Sequence, residues 1–328
     1  MYWDILVHYL NIEDILNLRL CCRETKNVHL SIFELKLVCK PVNINLFINL
    51  TYLSCKKYHY PINFDKLINL ITLECPDCNV KSINLPNLQV LNCNNTKISE
   101  VNHLVTLKIL NCISCPIKNI NLPNLLKLCC HDSEVKYISA PNLILLVCSS
   151  TDVQKIYAPN LEYLDCDDCF IENINDFIHL KQLFYVSNAY YMQEIDLNLP
   201  KLEMLNTNQT FSISKLTSLK SLCIQQTDKF IDLPFLEKLC CSGTNQSFDH
   251  LTTLQCLDCS NRNIQAINLT NLLTLTCNTT EITSFNHLIF LTKLDCSHTY
   301  TEYINLPNLK TLICVNTKMS KFDHLIAL

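Results

Sequence analysis

A cysteine recurs in this chain every 18 or 19 residues. Cys75, Cys93, Cys112, Cys130, Cys148 and Cys166 form one series, and Cys241, Cys259, Cys277, Cys296 and Cys314 form a second. Each follows a leucine by two positions, as in Leu91-Asn92-Cys93 and Leu294-Asp295-Cys296. A fixed period sustained this long means one supersecondary unit repeated. Each unit then contacts only its neighbours, so the array can lengthen without a single enlarging core. The cysteines are therefore positions in a repeat, not members of a reactive cluster.

Aligned on the first leucine, the units share the pattern L-x-x-L-x-x-L-x-C-x-x-T-x-I-x-x-I, seen in Leu85, Leu88, Leu91, Cys93, Thr96, Ile98 and Val101. Side chains alternate faces along a strand, so Leu91 and Cys93 point to the same side. Pro86, Pro123, Pro141, Pro159, Pro200, Pro234 and Pro307 share one turn column, where a fixed φ and a missing N–H do no harm. So short a coil leaves too few residues for a helix opposite the strand, and extended or turn-like segments are expected there. The pattern resembles the leucine-rich repeat over nearly everything after residue 41. The resemblance implies a mostly β member of the α/β repeat class: a solenoid of short coils with parallel strands and little convex helix. It puts Thr96 at the family's asparagine position, with its hydroxyl bonding backbone between coils. It also implies protein recognition as the function.

Composition narrows the alternatives. Gly243 is the only glycine, whereas phosphate loops and nucleophile elbows need glycine where backbone packs tightly. A net charge of −4 offers no basic excess for nucleic acid. No secretory leader or membrane-length apolar run is visible, so 22 cysteines point to a reducing compartment, cytoplasmic or nuclear. Zinc wants about four ligands in a tetrahedron, which a linear ladder of thiols cannot supply. Pairs such as Cys112-x-x-Cys115 and Cys166-x-x-Cys169 combine a strand position with the asparagine-type position. No metal, cofactor or catalytic residue is expected, and no enzyme activity. His103, His179, His250, His287 and His324 share the turn before the first leucine, where turn hydrogen bonding is the expected role. Asparagine is abundant in a way that follows an AT-rich coding bias.

Residues 1–40 depart from the repeat. Ile5, Leu6, Tyr9 and Leu10 have helical spacing, and Asn11 can cap a second helix beginning near Asp14. Asp4-Ile5-Leu6 and Asp14-Ile15-Leu16-Asn17-Leu18-Arg19-Leu20-Cys21-Cys22-Arg23 resemble the F-box, a helical module that docks on the Skp adaptor of cullin–RING ubiquitin ligases. That resemblance implies adaptor contact through Ile5, Leu6, Leu10, Ile15 and Leu16 and a substrate protein held by the repeats. Low glycine, high asparagine and short cysteine repeats are similar to proteins encoded by giant DNA viruses. The other reading is a binding scaffold without a ubiquitin-ligase link, its N-terminal helices serving only to shield the first coil.

One coil is irregular. Between Ala158 and Leu199 the spacing stretches, and the column cysteine is replaced by Tyr185, then by Thr207 and Ile224. Polar residues flanking the inward strand pair, among them Asn92, Asn94, Asp258 and Asp295, make the strand face mildly acidic. Acidity is densest from Tyr163 to Asp168, beside aromatic residues of the insertion. Tyr163, Asp165, Asp167, Asp168, Phe184, Tyr190 and Tyr191 are the candidate partner-binding residues.

Overall fold

A computed structural model of the chain describes residues 34–36 and, from 49 to 319, all but 59, 61–62, 65, 188–194, 210, 225–232, 242–246 and 262–263. The chain divides into two compact units, residues 1–161 with 169–173, and residues 162–168 with 174–328. Both repeat the same coil. In the first unit the strands Glu34–Lys36, Tyr52–Ser54, Thr72–Glu74, Val90–Asn92, Ile109–Asn111, Lys127–Cys129 and Leu145–Val147 pair in parallel and in register. In the second, the strands from Tyr163–Asp165 to Thr311–Ile313 do the same. The first strand falls within the segment 1–40 read as a helical cap; the rest of that segment, including Ile5, Leu6, Leu10, Ile15 and Leu16, lies outside the described residues.

The register sets the core. Leu53, Leu73, Leu91, Leu110, Leu128 and Leu146 stack over one another, all without solvent exposure. The column cysteines lie beside them, joined by Cys55, and are buried in both units except Cys314 in the last described coil, which is half-buried. A thiol packs there as a small apolar group. It also donates weakly to the next coil, as Cys93 Sγ does to the Asn111 carbonyl at 3.5 Å. As expected, Tyr185, Thr207 and Ile224 take the column's place where cysteine is missing, all buried. Tyr185 is accommodated by stacking on Phe211, ring centroids 5.6 Å apart.

Besides that sheet, Asn119–Asn121, Tyr137–Ser139 and Lys155–Tyr157 form a second parallel sheet in the first unit. The extended segments expected from the short period are therefore present. Among the described residues the one helical segment is a single 3-10 turn, Ile174–Asp176.

Two columns of polar residues in the turns tie coil to coil. In Leu-Pro-Asn-Leu the proline stands at the second position of a β-turn closed by Leu88 N–H donating to Leu85 O at 3.2 Å. The asparagine then donates to the preceding coil: Asn87 to Ile68 O, Asn124 to Val105 O, Asn142 to Pro123 O and Asn308 to Ile289 O, at 2.8–2.9 Å. Thr106 and Thr253 fill the same place through their hydroxyls. Asparagine is thus structural in this chain, beyond any coding bias. The histidine turns join coils too: His103 Nε2 lies 2.6 Å from Ile83 O.

Thr96 departs from expectation. Its hydroxyl donates within its own coil, to Cys93 O at 2.7 Å, because three residues of tight turn bring that carbonyl alongside. The bond between coils is made by cysteine at this position: Cys78 to Cys55 O, Cys115 to Cys93 O and Cys169 to Cys148 O, at 2.8–3.0 Å. The longer C–S bond lets the thiol reach the neighbouring carbonyl that a hydroxyl leaves for its own turn.

The turn after each column residue has a second common feature. Lys57, Asp77, Asn95, Ser114, Asp132, Ser150, Asp168, Asn261, Thr279, His298 and Asn316 all have φ between 54° and 60°. Each follows the column residue by two positions, and Gly243 stands at that place in the sequence after Cys241. Left-handed backbone costs an ordinary residue about 1–2 kcal/mol, least for asparagine and aspartate. Ser150→Gly should therefore stabilise the protein by up to about 1 kcal/mol and Ser150→Val should destabilise it by about as much, read as opposite shifts of the urea midpoint. Asn95→Gly should gain less, because Asn95 Nδ2 donates to Asp77 Oδ1 at 2.9 Å.

Candidate functional site

The residue after the column position carries a ladder of acceptors. Asn94 Oδ1 accepts from Ile113 N–H, Ser260 Oγ from Asn278 N–H, Asn278 Oδ1 from Ser297 N–H and Ser297 Oγ from Val315 N–H. Each is a neutral side chain serving the backbone of the next coil. Asp167 makes the same bond, its Oδ1 accepting from Val186 N–H at 2.6 Å, but it is a carboxylate where a neutral group suffices. Asp165 lies outward on the adjoining strand, and Asp168 occupies the left-handed turn position. Burial pushes the Asp167 carboxyl above its ordinary range, opposed by the Val186 hydrogen bond and reinforced by Asp165 and Asp168. Charge kept at a cost is a signature of functional sites.

Two of the predicted aromatic residues join this cluster. The register sets Asp165 opposite Phe184 on the next strand. The rings of half-buried Tyr163 and Phe184 lie 5.5 Å apart, tilted by 36°. Burial, then Asp165 and Asp167, raise the Tyr163 phenol, which stays protonated as a donor. The structure therefore brings Tyr163, Asp165, Asp167, Asp168 and Phe184 together. Tyr190 and Tyr191 lie outside the described residues. Other polar residues of the strand face are engaged internally: Asp258 and Asp295 each accept from the N–H and hydroxyl of a serine two residues on.

A groove in the second unit was not foreseen. It has a volume of about 1100 Å³ and runs along the shoulder between the L-x-x-L turns and the strands, lined by Glu203, Lys220, Phe235, Glu237, Leu273 and Phe290 among others. Phe235 and Phe290 stand where other coils place the bridging asparagine, and both are more than half exposed. Lys220 pairs with Glu203 at 3.2 Å, an exposed bridge contributing little to stability. The first unit has a smaller, 540 Å³ version of the groove, with asparagines in place of phenylalanines. The signal in the sequence was the phenylalanine at the third place of L-x-x-L, legible only once that place is known to be a bridge.

No metal-binding group of three or more histidine, cysteine or carboxylate side chains occurs among the described residues. No described helix is long and apolar enough to cross a membrane.

No protein-family model matches the chain, and no curated protein matches it. Solved structures do. The leucine-rich-repeat protein LIC12759 of Leptospira interrogans is 17% identical, with a TM-score of 0.59 over 84% of this chain and 81% of that one. The fold is a leucine-rich-repeat solenoid. The functional domain of InlJ from Listeria monocytogenes, described as including a cysteine ladder, is 23% identical with a TM-score of 0.55. There 81% of this chain spans 63% of that domain's length. The ectodomain of the Arabidopsis receptor kinase HAESA, solved with an IDA peptide hormone, is 16% identical with a TM-score of 0.50, over 89% of this chain and 67% of that one. At these identities the likeness concerns the fold.

Proposed function

We propose that this chain is a recognition scaffold that binds a protein or peptide through the strand face of its leucine-rich repeats. The observation that carries the reading is Asp167, a charged residue in a ladder that neutral side chains serve elsewhere, set beside the Tyr163–Phe184 ring pair. Clustered carboxylates with flanking aromatic faces fit a lysine or arginine side chain, which gains both charge pairing and ring contact. A peptide complex of a leucine-rich-repeat ectodomain, HAESA, is consistent with this mode. Binding of a lysine- and arginine-rich peptide library, measured by fluorescence anisotropy, tests it. Phe184→Ala and Asp167→Asn should each weaken the best peptide by about tenfold or more, and added salt should weaken it further. Undiminished affinity in both variants would refute the site.

The effect of Asp167→Asn on stability should run the other way. A carboxyl whose folded pKa is raised binds its proton more tightly when folded, so ionising it costs stability as pH rises through that value. The amide keeps an oxygen for Val186 N–H without the charge. The variant should therefore be the more stable one at neutral pH, with the gain vanishing as pH falls below the ordinary carboxylate range; chemical denaturation at the two pH values reads this.

The segment Asp14–Arg23 supports a finer reading, in which the scaffold presents its ligand to a Skp-type adaptor of a cullin–RING ubiquitin ligase in the cytoplasm or nucleus. Purified Skp adaptor should then be retained by the full chain and lost on Leu16→Asp. If the adaptor is not retained, the N-terminal segment serves only as a cap.

A further inference from the structure

Cys223 and Cys240 are set apart from the other described cysteines. Both stand one place after the core leucine, on the outward side of neighbouring strands Ser221–Ile224 and Lys238–Cys241. They are direct register partners. Cys240 is exposed and Cys223 half-buried, whereas most of the described thiols are buried. The other half-buried strand cysteines face different residues: Cys129 is registered with Asn111 and Val147, and Cys256 with Lys238 and Thr274. Among the described residues, this is the one strand pair that puts two solvent-reached thiols side by side.

We propose that Cys223 and Cys240 form a redox-responsive dithiol that hydrogen peroxide closes to a disulfide across the exposed strand face. Partners on adjacent strands are about 4.8 Å apart, inside the roughly 4.4–6.8 Å Cα window of disulfides. Both cysteines stand on the solvent side of their strands, outside the interior that holds the column thiols. Cys240 hydrogen-bonds to Cys223, and this draws the Cys223 thiol down to about 7 while Cys240 moves up. The Asp258 carboxylate, 4.0 Å from Cys240 Sγ, pushes both thiols up, so the asymmetry comes from the contact between the two cysteines.

The chemistry follows this asymmetry. Cys223 thiolate attacks peroxide: an S–O bond forms, the O–O bond breaks, and hydroxide leaves. Cys240 sulfur then attacks the sulfenic sulfur of Cys223: the S–S bond forms, the S–O bond breaks, and the leaving hydroxide takes up the Cys240 proton. The sulfurs are oxidised by two electrons and peroxide is reduced to one water and one hydroxide, the hydroxide becoming a second water when it takes up the proton that Cys223 released on ionising.

The test is peptide mapping of the full chain after brief peroxide treatment and alkylation under denaturing conditions. A Cys223–Cys240 cross-linked peptide, with Cys112, Cys130 and Cys148 fully alkylated, is the expected result. Dimedone should trap sulfenic acid on Cys223 in Cys240→Ser about tenfold more than on Cys240 in Cys223→Ser. The inference is overturned if both thiols of the treated wild-type protein remain alkylatable. It is equally overturned if other pairs cross-link to the same extent or if dimedone marks both variants alike.

Discussion

Leu110→Ala should remove about 3–4 kcal/mol of stability, a large share of what a folded domain holds. Leu110 is fully buried, with Leu91 registered on one side and Leu128 on the other. Truncation loses its transfer free energy and leaves a cavity, and stacked coils that are tied by backbone ladders on both sides cannot collapse around it. Because each coil depends on its neighbours, the damage should spread along the array rather than stay local. Hydrogen exchange should show the amides of Val90–Asn92, Ile109–Asn111 and Lys127–Cys129 losing protection together. Ile144→Ala, at a position 43% exposed, should change stability by no more than about 0.5 kcal/mol. Equal effects of the two substitutions would refute the leucine ladder as the core.

The second large effect is chemical silence. Cys93, Cys112, Cys130 and Cys148 have no solvent exposure, and burial pushes the Cys112 and Cys130 thiols up, with neighbouring cysteines adding to the rise. Such a thiol reacts only when its coil opens. An opening free energy of about 4 kcal/mol slows alkylation about a thousandfold relative to the unfolded chain. Site-resolved alkylation of the native protein should therefore mark Cys223, which is solvent-reached and drawn down, rapidly and the buried column cysteines hardly at all. Cys115 separates access from acidity. Side-chain hydrogen bonding with Cys93, then with Thr96, draws it down to about 6 against burial, yet it is only 2% exposed. It should stay silent, because the reagent cannot reach it. Rapid modification of the whole column would mean that it is not an interior.

The spacing of Leu91 and Cys93 made the coil, its parallel strands and the scarcity of convex helix among the described residues legible, because a period of two on an 18-residue repeat admits few alternatives. The left-handed column was not legible: lysine, aspartate, serine, threonine and histidine share no chemistry there, and only the backbone relates them. The direction of the Thr96 bond was misread, since register alone does not say which of two nearby carbonyls a hydroxyl reaches. At the site, Tyr163 and Phe184 could be placed together because their strands are neighbours in the repeat. The groove at Phe235 and Phe290 and the Cys223–Cys240 pair could not, because each requires knowing which positions in a coil face outward.

The central claim, that the strand face around Asp167 is where this solenoid meets its ligand, can be tested by photo-crosslinking. A photoreactive phenylalanine analogue would be placed at Phe184 and, as the control, at Tyr137 on the second sheet of the first unit. Yields would be measured with the tightest basic peptide, with and without Asp167→Asn. The account predicts adducts at 184 that fall with Asp167→Asn and none above background at 137. Equal yields at the two positions, or adducts at 184 untouched by Asp167→Asn, would contradict it.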